Sequence, residues 1–298
     1  MTLEQQIAQF LASGLVNGAI YALLGLGLVV IFSVTRVVNV AQGEFAAFAA
    51  LLGATLIGRD LPPPLAYFIA VAAATGLGAA MHLVAIRPAR EATALTLLII
   101  TIALHLALKG LLLLLWGTQP YSLPPFTIGP PLRIAGAVFT RQSLWVLGAV
   151  AVILAAAYLF FARTVYGKSL RACAVNPRAA RLVGISVDRM GTLAFAVAGG
   201  LGGIAGILIT PQTLATYDMG LILGLKGFVG AVVAGMTSYP WTVAATLGFG
   251  VVEALGAGLI SSAYRDGIAF AVLVLVLLAR ALRHLREGVL IGEEAAQE

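Results

Sequence analysis

The sequence predicts an all-α, polytopic integral membrane protein with about nine, or eight, transmembrane helices in a single domain spanning residues 1–298. Three observations carry this. Hydrophobic residues make up 61% of the chain and charged residues only 10%, too few polar side chains to coat a soluble globule. Mean hydropathy is +1.03. Apolar runs recur at about 20 residues, the length at which a helix crosses a hydrocarbon core of about 30 Å with its backbone amides bonded internally.

Taken in order, windows of about 19 residues place spans near 9–33, 40–58, 65–86, 93–115, 143–162, 190–210, 221–239, 241–262 and 266–282. The breaks between them carry turn chemistry: Pro62-Pro-Pro64, Arg87-Pro88, the Pro-rich stretch from Pro120 to Pro131, Pro211, and Tyr239-Pro240. The N-terminus, Met1-Thr-Leu-Glu-Gln-Gln6, has no basic n-region, and the run behind it is too long and Gly-rich for a cleaved signal. The first helix is therefore expected to act as an uncleaved insertion signal.

Orientation follows from Lys and Arg in the breaks. With the N-terminus outside, twelve basic residues fall inside (Arg36, Arg87, Arg90, six between 163 and 189, and Arg280, Arg283 and Arg286) and four outside (Arg59, Arg133, Arg141 and Arg265). The remaining two, Lys109 and Lys226, lie near outer span ends, where their stems are expected to snorkel to the interface. The net charge of +6 thus reads as a topology signal, and no basic and aromatic platform for nucleic acid accompanies it. Residues 283–298 form a short cytoplasmic tail, which argues against a fused ATPase. The single cysteine, Cys173, excludes an intramolecular disulfide and falls in the inner loop, where it reads as a spectator thiol.

Two polar interruptions are long, 116–142 and 163–189. The second holds Arg163, Lys168, Arg171, Arg178, Arg181 and Arg189 against one acid, Asp188. Within it, Asn176 is placed to N-cap a short surface helix with Pro177 at its first position and Gly184 at its end. Ala179, Leu182 and Val183 would share one face, leaving arginines for lipid phosphates or a partner's carboxylates. Residues 163–189 therefore read as a cytoplasmic docking surface.

Thirty-four glycines include small-xxx-small pairs, among them Gly14/Gly18, Gly199/Gly203, Gly202/Gly206 and Gly220/Gly224, which let helix backbones approach closely. Polar residues inside spans are costly and so stand out. Asn17 lies in the first span, Asn39, Gln42 and Glu44 at the start of the second, and Glu253 in the eighth. Asn39, Gln42 and Glu44 form either a gate or substrate-facing turn, or an interfacial cap favoured by the helix N-terminus. Glu253 is either a pore residue or a protonated or hydrogen-bonded acid between helices. His82 and His105 read as packing or interfacial residues. His105 and Lys109, four apart, make no metal site.

Catalytic constellations are not found. Gly184-Ile-Ser-Val-Asp188 falls short of a nucleophile elbow, and no His-Glu-x-x-His or paired cysteine set occurs. Ala162-Arg-Thr-Val-Tyr-Gly-Lys-Ser169 nearly reproduces a phosphate-binding loop, but it follows a membrane helix rather than a strand.

The run Gly14-Leu-Val-Asn-Gly-Ala-Ile-Tyr-Ala-Leu-Leu-Gly-Leu-Gly-Leu28 and the run Thr35-Arg-Val-Val-Asn-Val-Ala-Gln-Gly-Glu-Phe45 resemble the opening of the Liv-type (LivH-like) branched-chain amino-acid ABC transporter permeases. Arg171-Ala-Cys-Ala-Val-Asn-Pro-Arg-Ala-Ala-Arg-Leu-Val-Gly-Ile185 and Leu225-Lys-Gly-Phe-Val-Gly230 extend the resemblance in order over most of the chain. It implies a non-enzymatic permease subunit of the bacterial cytoplasmic (inner) membrane. Its implied partners are a second, related permease, two ATPase subunits that bind the ATP and Mg, and an external solute-binding protein. This chain would carry no cofactor of its own.

The resemblance also makes residues 163–189 a coupling loop that enters a cleft on the ATPase. Arg171, Asn176, Pro177, Arg178, Ala179, Ala180, Arg181, Gly184 and Ile185 are its implied contact residues. Arg178 stands where the coupling motif elsewhere has Glu, and Gln42 where many members carry His. In Ala234-Gly-Met-Thr-Ser-Tyr-Pro-Trp-Thr-Val243, Met236 and Trp241 replace small residues of the family pattern. The implied activity is import of branched-chain or other small apolar amino acids by alternating access. Asn17, Asn39, Gln42, Glu44 and Glu253 are the candidates for the substrate path. Alternatives are urea, short amides or aromatic acids on the same machinery, or an ion-coupled secondary transporter using Glu44 and Glu253. A membrane-embedded enzyme is disfavoured, because no nucleophile, base and acid fall together near one membrane face.

Overall fold

In a computed structural model, residues 2–262 except 135, and 266–278 except 269, are described. The expected 283–298 tail, with Arg265, Arg280, Arg283 and Arg286, lies outside them. Among the described residues, ten α-helices account for nearly all regular structure: α1 (Leu3–Thr35), α2 (Glu44–Ile57), α3 (Pro63–Met81), α4 (Ala94–Trp116), α5 (Arg141–Arg163), α6 (Val165–Val175), α7 (Pro177–Leu182), α8 (Val187–Thr213), α9 (Met219–Val233) and α10 (Tyr239–Leu259). A further helical stretch covers Asp266–Leu278. Among the described residues seven helices are long and apolar enough to cross a membrane, and Met219–Val233 is a shorter apolar helix.

Hydroxyl and amide caps start many of these helices, as expected where the first N–H groups lack internal partners. Thr2 and Gln5 form a capping box on α1, and Thr93, Thr140, Thr164 and Ser186 cap α4, α5, α6 and α8. At 33 residues α1 is about 50 Å long, and it is the centre of the bundle, packing on α10, α8 and α9. Its middle is inaccessible, with Ala22, Leu23, Leu24, Val29 and Val30 fully buried.

Close packing uses the predicted glycines. A Cβ on Gly14 would lie 2.6 Å from the Cα of Val251, and one on Gly18 would lie 2.8 Å from the Cα of Leu247, so α1 and α10 cross backbone to backbone. Gly199 and Gly78 meet in the same way where α8 crosses α3, and Gly206 lies against Ala46 of α2.

The bundle has two polar ends. At one, Arg36 donates to the carbonyl of Ala174 (3.1 Å), Arg90 pairs with Asp188 (2.9 Å), and Tyr239 meets Ser33 (3.2 Å) and stacks on Phe161. At the other, Gln9 exchanges hydrogen bonds with Val138, Trp116 donates to Thr55 (2.6 Å), and Tyr121 bridges to Ala215. The first end gathers Arg36, Arg90 and the helices of residues 163–189, and the second gathers the N-terminal helix start.

Local structure departs from the sequence reading in four places. The 116–142 interruption contains a two-stranded hairpin, β1 (Leu132–Ile134) and β2 (Ala137–Phe139), antiparallel with Arg133 opposite Val138. Residues 163–189, read as loop plus one short helix, hold two helices, because Thr164 caps a turn ahead of Val165–Val175. Pro211 does not end α8, which continues to Thr213. A proline in the last turn removes one backbone bond and leaves most of the helix untouched. Finally, α9 stops at Val233 rather than near 239, because Gly235 (φ 84°) and Met236 (φ 58°) turn the chain through left-handed geometry. Met236 takes that conformation with a side chain that disfavours it.

Candidate functional site

The basic segment is built from local signals. Thr164 Oγ1 accepts from the Gly167 amide (3.0 Å) to start α6, and Asn176 Oδ1 accepts from the amides of Arg178 and Ala179 (3.0 Å each) to start α7. Pro177 occupies the first turn and Gly184 takes φ 84° at the end, as the sequence predicts. Ala180 alone in α7 is buried, packed in a cluster with Phe161, Leu170, Cys173 and Ala194. The opposite face is apolar and open: Ala179 is exposed, Leu182 is 89% exposed and Val183 76%. Arg171, Arg178 and Arg181 are also exposed, and Ile185 is half-buried. The short helix thus shows apolar side chains and arginines outward while Ala180 packs beneath it. Burial pushes the Cys173 thiol up from its ordinary value, with the Arg181 charge opposing, so this cysteine packs rather than reacts.

The bundle anchors this segment twice, through Arg36 to Ala174 and through Arg90 to Asp188. Between these anchors lies a recess of about 530 Å³, bounded by Arg36, Arg87, Arg90, Arg181, Asp188 and His82. His82 Nδ1 shares a hydrogen bond with Thr192 (2.9 Å) beneath it, so this histidine ties α3 to α8.

Asn39, Gln42 and Glu44 are all buried, at 1%, 0% and 1% exposure; Asn39 makes no capping hydrogen bond, and Glu44 stands in the first turn of α2. They do not converge. Gln42 Nε2 donates to the Ala198 carbonyl of α8 (3.0 Å), with Gly27 and Gly202 making room. Glu44 Oε1 meets His105 Nδ1 of α4 (2.9 Å) and lies over Gly220 of α9. The Asn39 amide has no hydrogen-bond partner among the described residues. The turn Val40–Gly43 is thus wedged between α4, α8 and α9. The role of His105 as partner of an intramembrane acid was not read from the sequence. Its signal was two titratable residues in neighbouring spans.

Asn17 and Glu253 meet a different arrangement at the N-terminal end of the bundle. Asn17 and Tyr21 of α1, Thr213 and Thr216 after α8, and Asp218 and Lys226 of α9 border a recess of about 270 Å³. Glu253 of α10, fully buried, accepts from Lys226 Nζ (2.7 Å), which also pairs with Asp266 (2.9 Å) and sits 5.7 Å from the centre of the Tyr21 ring. Lys226 therefore does not snorkel. It is 7% exposed, because carboxylates from two other helical segments reach it before the interface does. Only Glu253, near the middle of its span, stood out in the sequence; the lysine near the end of the preceding span gave no signal of its own for this pair.

The chain matches the family described as "Branched-chain amino acid transport system / permease component" over residues 10–277. It is 28% identical over 295 residues to the high-affinity branched-chain amino acid transport system permease protein LivH of Salmonella typhimurium, covering 93% of this chain and 95% of that one. It is 28% identical to BraD, the corresponding permease protein of Pseudomonas aeruginosa, over 91% of this chain and 93% of the relative. A LivH of Methanocaldococcus jannaschii, described as probable, matches at 24% over 86% and 83%. In fold, the chain is similar to PsaBC from Streptococcus pneumoniae in complex with Fab, with a TM-score of 0.50, 15% identity and 90% of each chain covered. The match runs through the buried Asn39–Glu44 turn, the Asn176-capped helix and the Lys226–Glu253 pair, and this multi-pass membrane protein belongs to the branched-chain amino acid transport system permease family.

Proposed function

We propose that this chain is the permease subunit of an ATP-binding-cassette importer of the bacterial inner membrane, moving branched-chain or other small apolar amino acids by alternating access. Its partners in this reading are a second, related permease, two ATPase subunits that bind and hydrolyse ATP with Mg, and an external solute-binding protein. The observation that carries it is α7: a six-residue helix capped by Asn176, seated on Ala180, and presenting Ala179, Leu182 and Val183 outward together with exposed Arg178 and Arg181.

This shape suits insertion into a cleft. Its seat is rigid because Arg36 and Arg90 tie it to α1 and to the α3–α4 connection, so a displacement of α7 reaches the core helices directly. ATP-driven closure of the ATPases would then tilt the Gly-paired helices α1, α8 and α10 against their neighbours. In this reading the permease supplies a path and a lever, while the chemistry of hydrolysis belongs to the partner.

The test is uptake of radiolabelled leucine by proteoliposomes holding this chain with its sister permease, ATPases and binding protein. Leu182→Glu places a charge on the exposed face of α7 without touching buried Ala180. It is expected to cut ATP-dependent uptake more than about tenfold, equivalent to about 1.4 kcal/mol or more of lost coupling, with membrane insertion unchanged. Uptake at the wild-type level in this variant would remove α7 from the coupling role. An assembled, ATP-hydrolysing wild-type complex that moves no leucine would redirect the substrate reading.

A further inference from the structure

We infer that the recess between the two anchors of the basic segment holds the phosphate of an anionic phospholipid, whose acyl chains leave along the end of the third span. The inference stands on the membrane-spanning fold and on these side chains, and it is independent of which solute the chain moves.

Charge comes first. The recess, about 530 Å³, brings Arg36 at the end of α1, Arg87 and Arg90 after α3, and Arg181 of α7 around one space, against the carboxylates of Glu91 and Asp188. One arginine engages both acids: Arg90 pairs with Asp188 at 2.9 Å and lies 3.9 Å from Glu91. Arg36 donates to the Ala174 carbonyl (3.1 Å) and has further N–H donors to offer. The guanidinium groups of Arg87 and Arg181 make no hydrogen bond or ion pair among the described residues. Cations from α1, α7 and the α3–α4 connection thus border one space without a carboxylate of their own, and their mutual repulsion is relieved by an anion between them. A guanidinium presents its N–H donors as a planar fork that matches two oxygens of a phosphate.

Position then selects the source of that phosphate. Arg87 and Arg90, with Glu91, also border a second opening of about 510 Å³ that reaches Leu83 and Pro88. Leu83 and Val84 are exposed apolar residues in the last turns of the span Pro63–Ile86, where a membrane helix turns such side chains to the lipid tails. A free phosphate would use the arginines and leave this apolar margin bare, as would an acidic loop of a protein partner. A phospholipid uses both. The headgroup is selected further. Choline or ethanolamine would bring an ammonium into a space that already holds more guanidinium than carboxylate groups, whereas a glycerol headgroup brings hydroxyls and no positive charge. A phosphate held by Arg87 and Arg181 together bridges the α3–α4 connection to α7, so the lipid adds a third tie between the basic segment and the bundle.

The experiment reads which lipid lies beside the recess. The full chain, in a Cys173→Ser background, carries a fluorophore at Leu83→Cys in nanodiscs, and quenching by lipids with brominated acyl chains is compared for phosphatidylglycerol and phosphatidylcholine. Phosphatidylglycerol is expected to be favoured beside the label about tenfold. An arginine near the surface adds about a fivefold preference for anionic lipid, so Arg87→Gln and Arg181→Gln should each cut the ratio by about that factor. Lys168→Gln, exposed in the same basic segment but away from the recess, should leave it unchanged. Inorganic phosphate, compared with chloride at equal ionic strength, should also leave it unchanged.

Equal quenching by the two lipids overturns the site. A drop of the same size in Lys168→Gln shows diffuse attraction by the whole basic segment and overturns it as well. Loss of the preference on adding phosphate assigns the recess to a soluble anion instead. Arg87→Gln and Arg181→Gln that keep the lipid preference but weaken co-purification with the ATPases give these arginines to a protein partner, and the lipid site falls.

Discussion

At the scale of single residues, the chain gives the titratable groups it buries hydrogen-bonded partners. Glu253 is fully buried and receives Lys226 at 2.7 Å, and Glu44, at 1% exposure, meets His105 at 2.9 Å. Removing one member of a buried ion pair leaves the other without compensation, which costs about 3–5 kcal/mol, while replacing both by apolar residues of similar volume is nearly neutral. Lys226→Met is therefore expected to lower the thermal stability of the detergent-solubilised protein sharply. Lys226→Met combined with Glu253→Met should recover most of the loss. Equal destabilisation by the single and double variants would show that the pair does not set the stability of this region. Sequence reading picked out Glu253 and Glu44 as costly and therefore meaningful, yet it sent Lys226 to the interface. A lysine stem near a span end reaches the interface or a neighbouring acid equally well, and only the packing of α9 on α10 and the Asp266–Leu278 stretch chooses between them.

At the scale of helices, glycine position decides which pairs come close. Gly18 faces the backbone of α10, whereas a Cβ on Gly76 of α3 would meet nothing within 4 Å. Gly18→Leu is expected to force α1 and α10 apart and to abolish recovery of folded protein from the membrane, while Gly76→Ala should leave recovery and stability unchanged. Size-exclusion profiles of the two variants check this, and a normal profile for Gly18→Leu would contradict the close crossing. The sequence marked Gly14/Gly18 as a close-approach pair, but it did not identify the opposing helix, because small-xxx-small spacing describes only one side of a contact. In α7, by contrast, Asn176, Pro177 and Gly184 specify start and end through bonds within a few residues, so the element was legible as it stands. The Thr164 cap of α6 uses the same chemistry and was passed over because the basic residues around it read as loop.

At the scale of the whole molecule, the two ends of the bundle are chemically distinct. Leu182, 89% exposed, lies at the end that gathers the inner arginines, and Ile128, 87% exposed, lies in the segment beside the N-terminal start of α1. In a Cys173→Ser background, Leu182→Cys is expected to react with an impermeant maleimide only from the cytoplasmic side, and Ile128→Cys only from outside. Reaction of both from one side would break the predicted topology. Among the described residues seven helices satisfy length and composition for crossing, and α9 is shorter than the sequence window indicates. Hydropathy windows of fixed width cannot register a left-handed turn such as Gly235-Met236, which ends α9 early.

The amino-acid sequence by itself determined the apolar solvent of this protein, its helical class, and the capped basic helix that the family resemblance marks for coupling. Each of these depends on composition or on bonds within a few residues. Tertiary structure alone decided that Asn39, Gln42 and Glu44 diverge into three helix contacts, that Lys226 is ion-paired and buried, and that Asn17 and Asp218 face one recess. These arrangements join side chains far apart in the chain. Their energies depend on which helices cross and at what distance, and that is set by the packing of all the helices together.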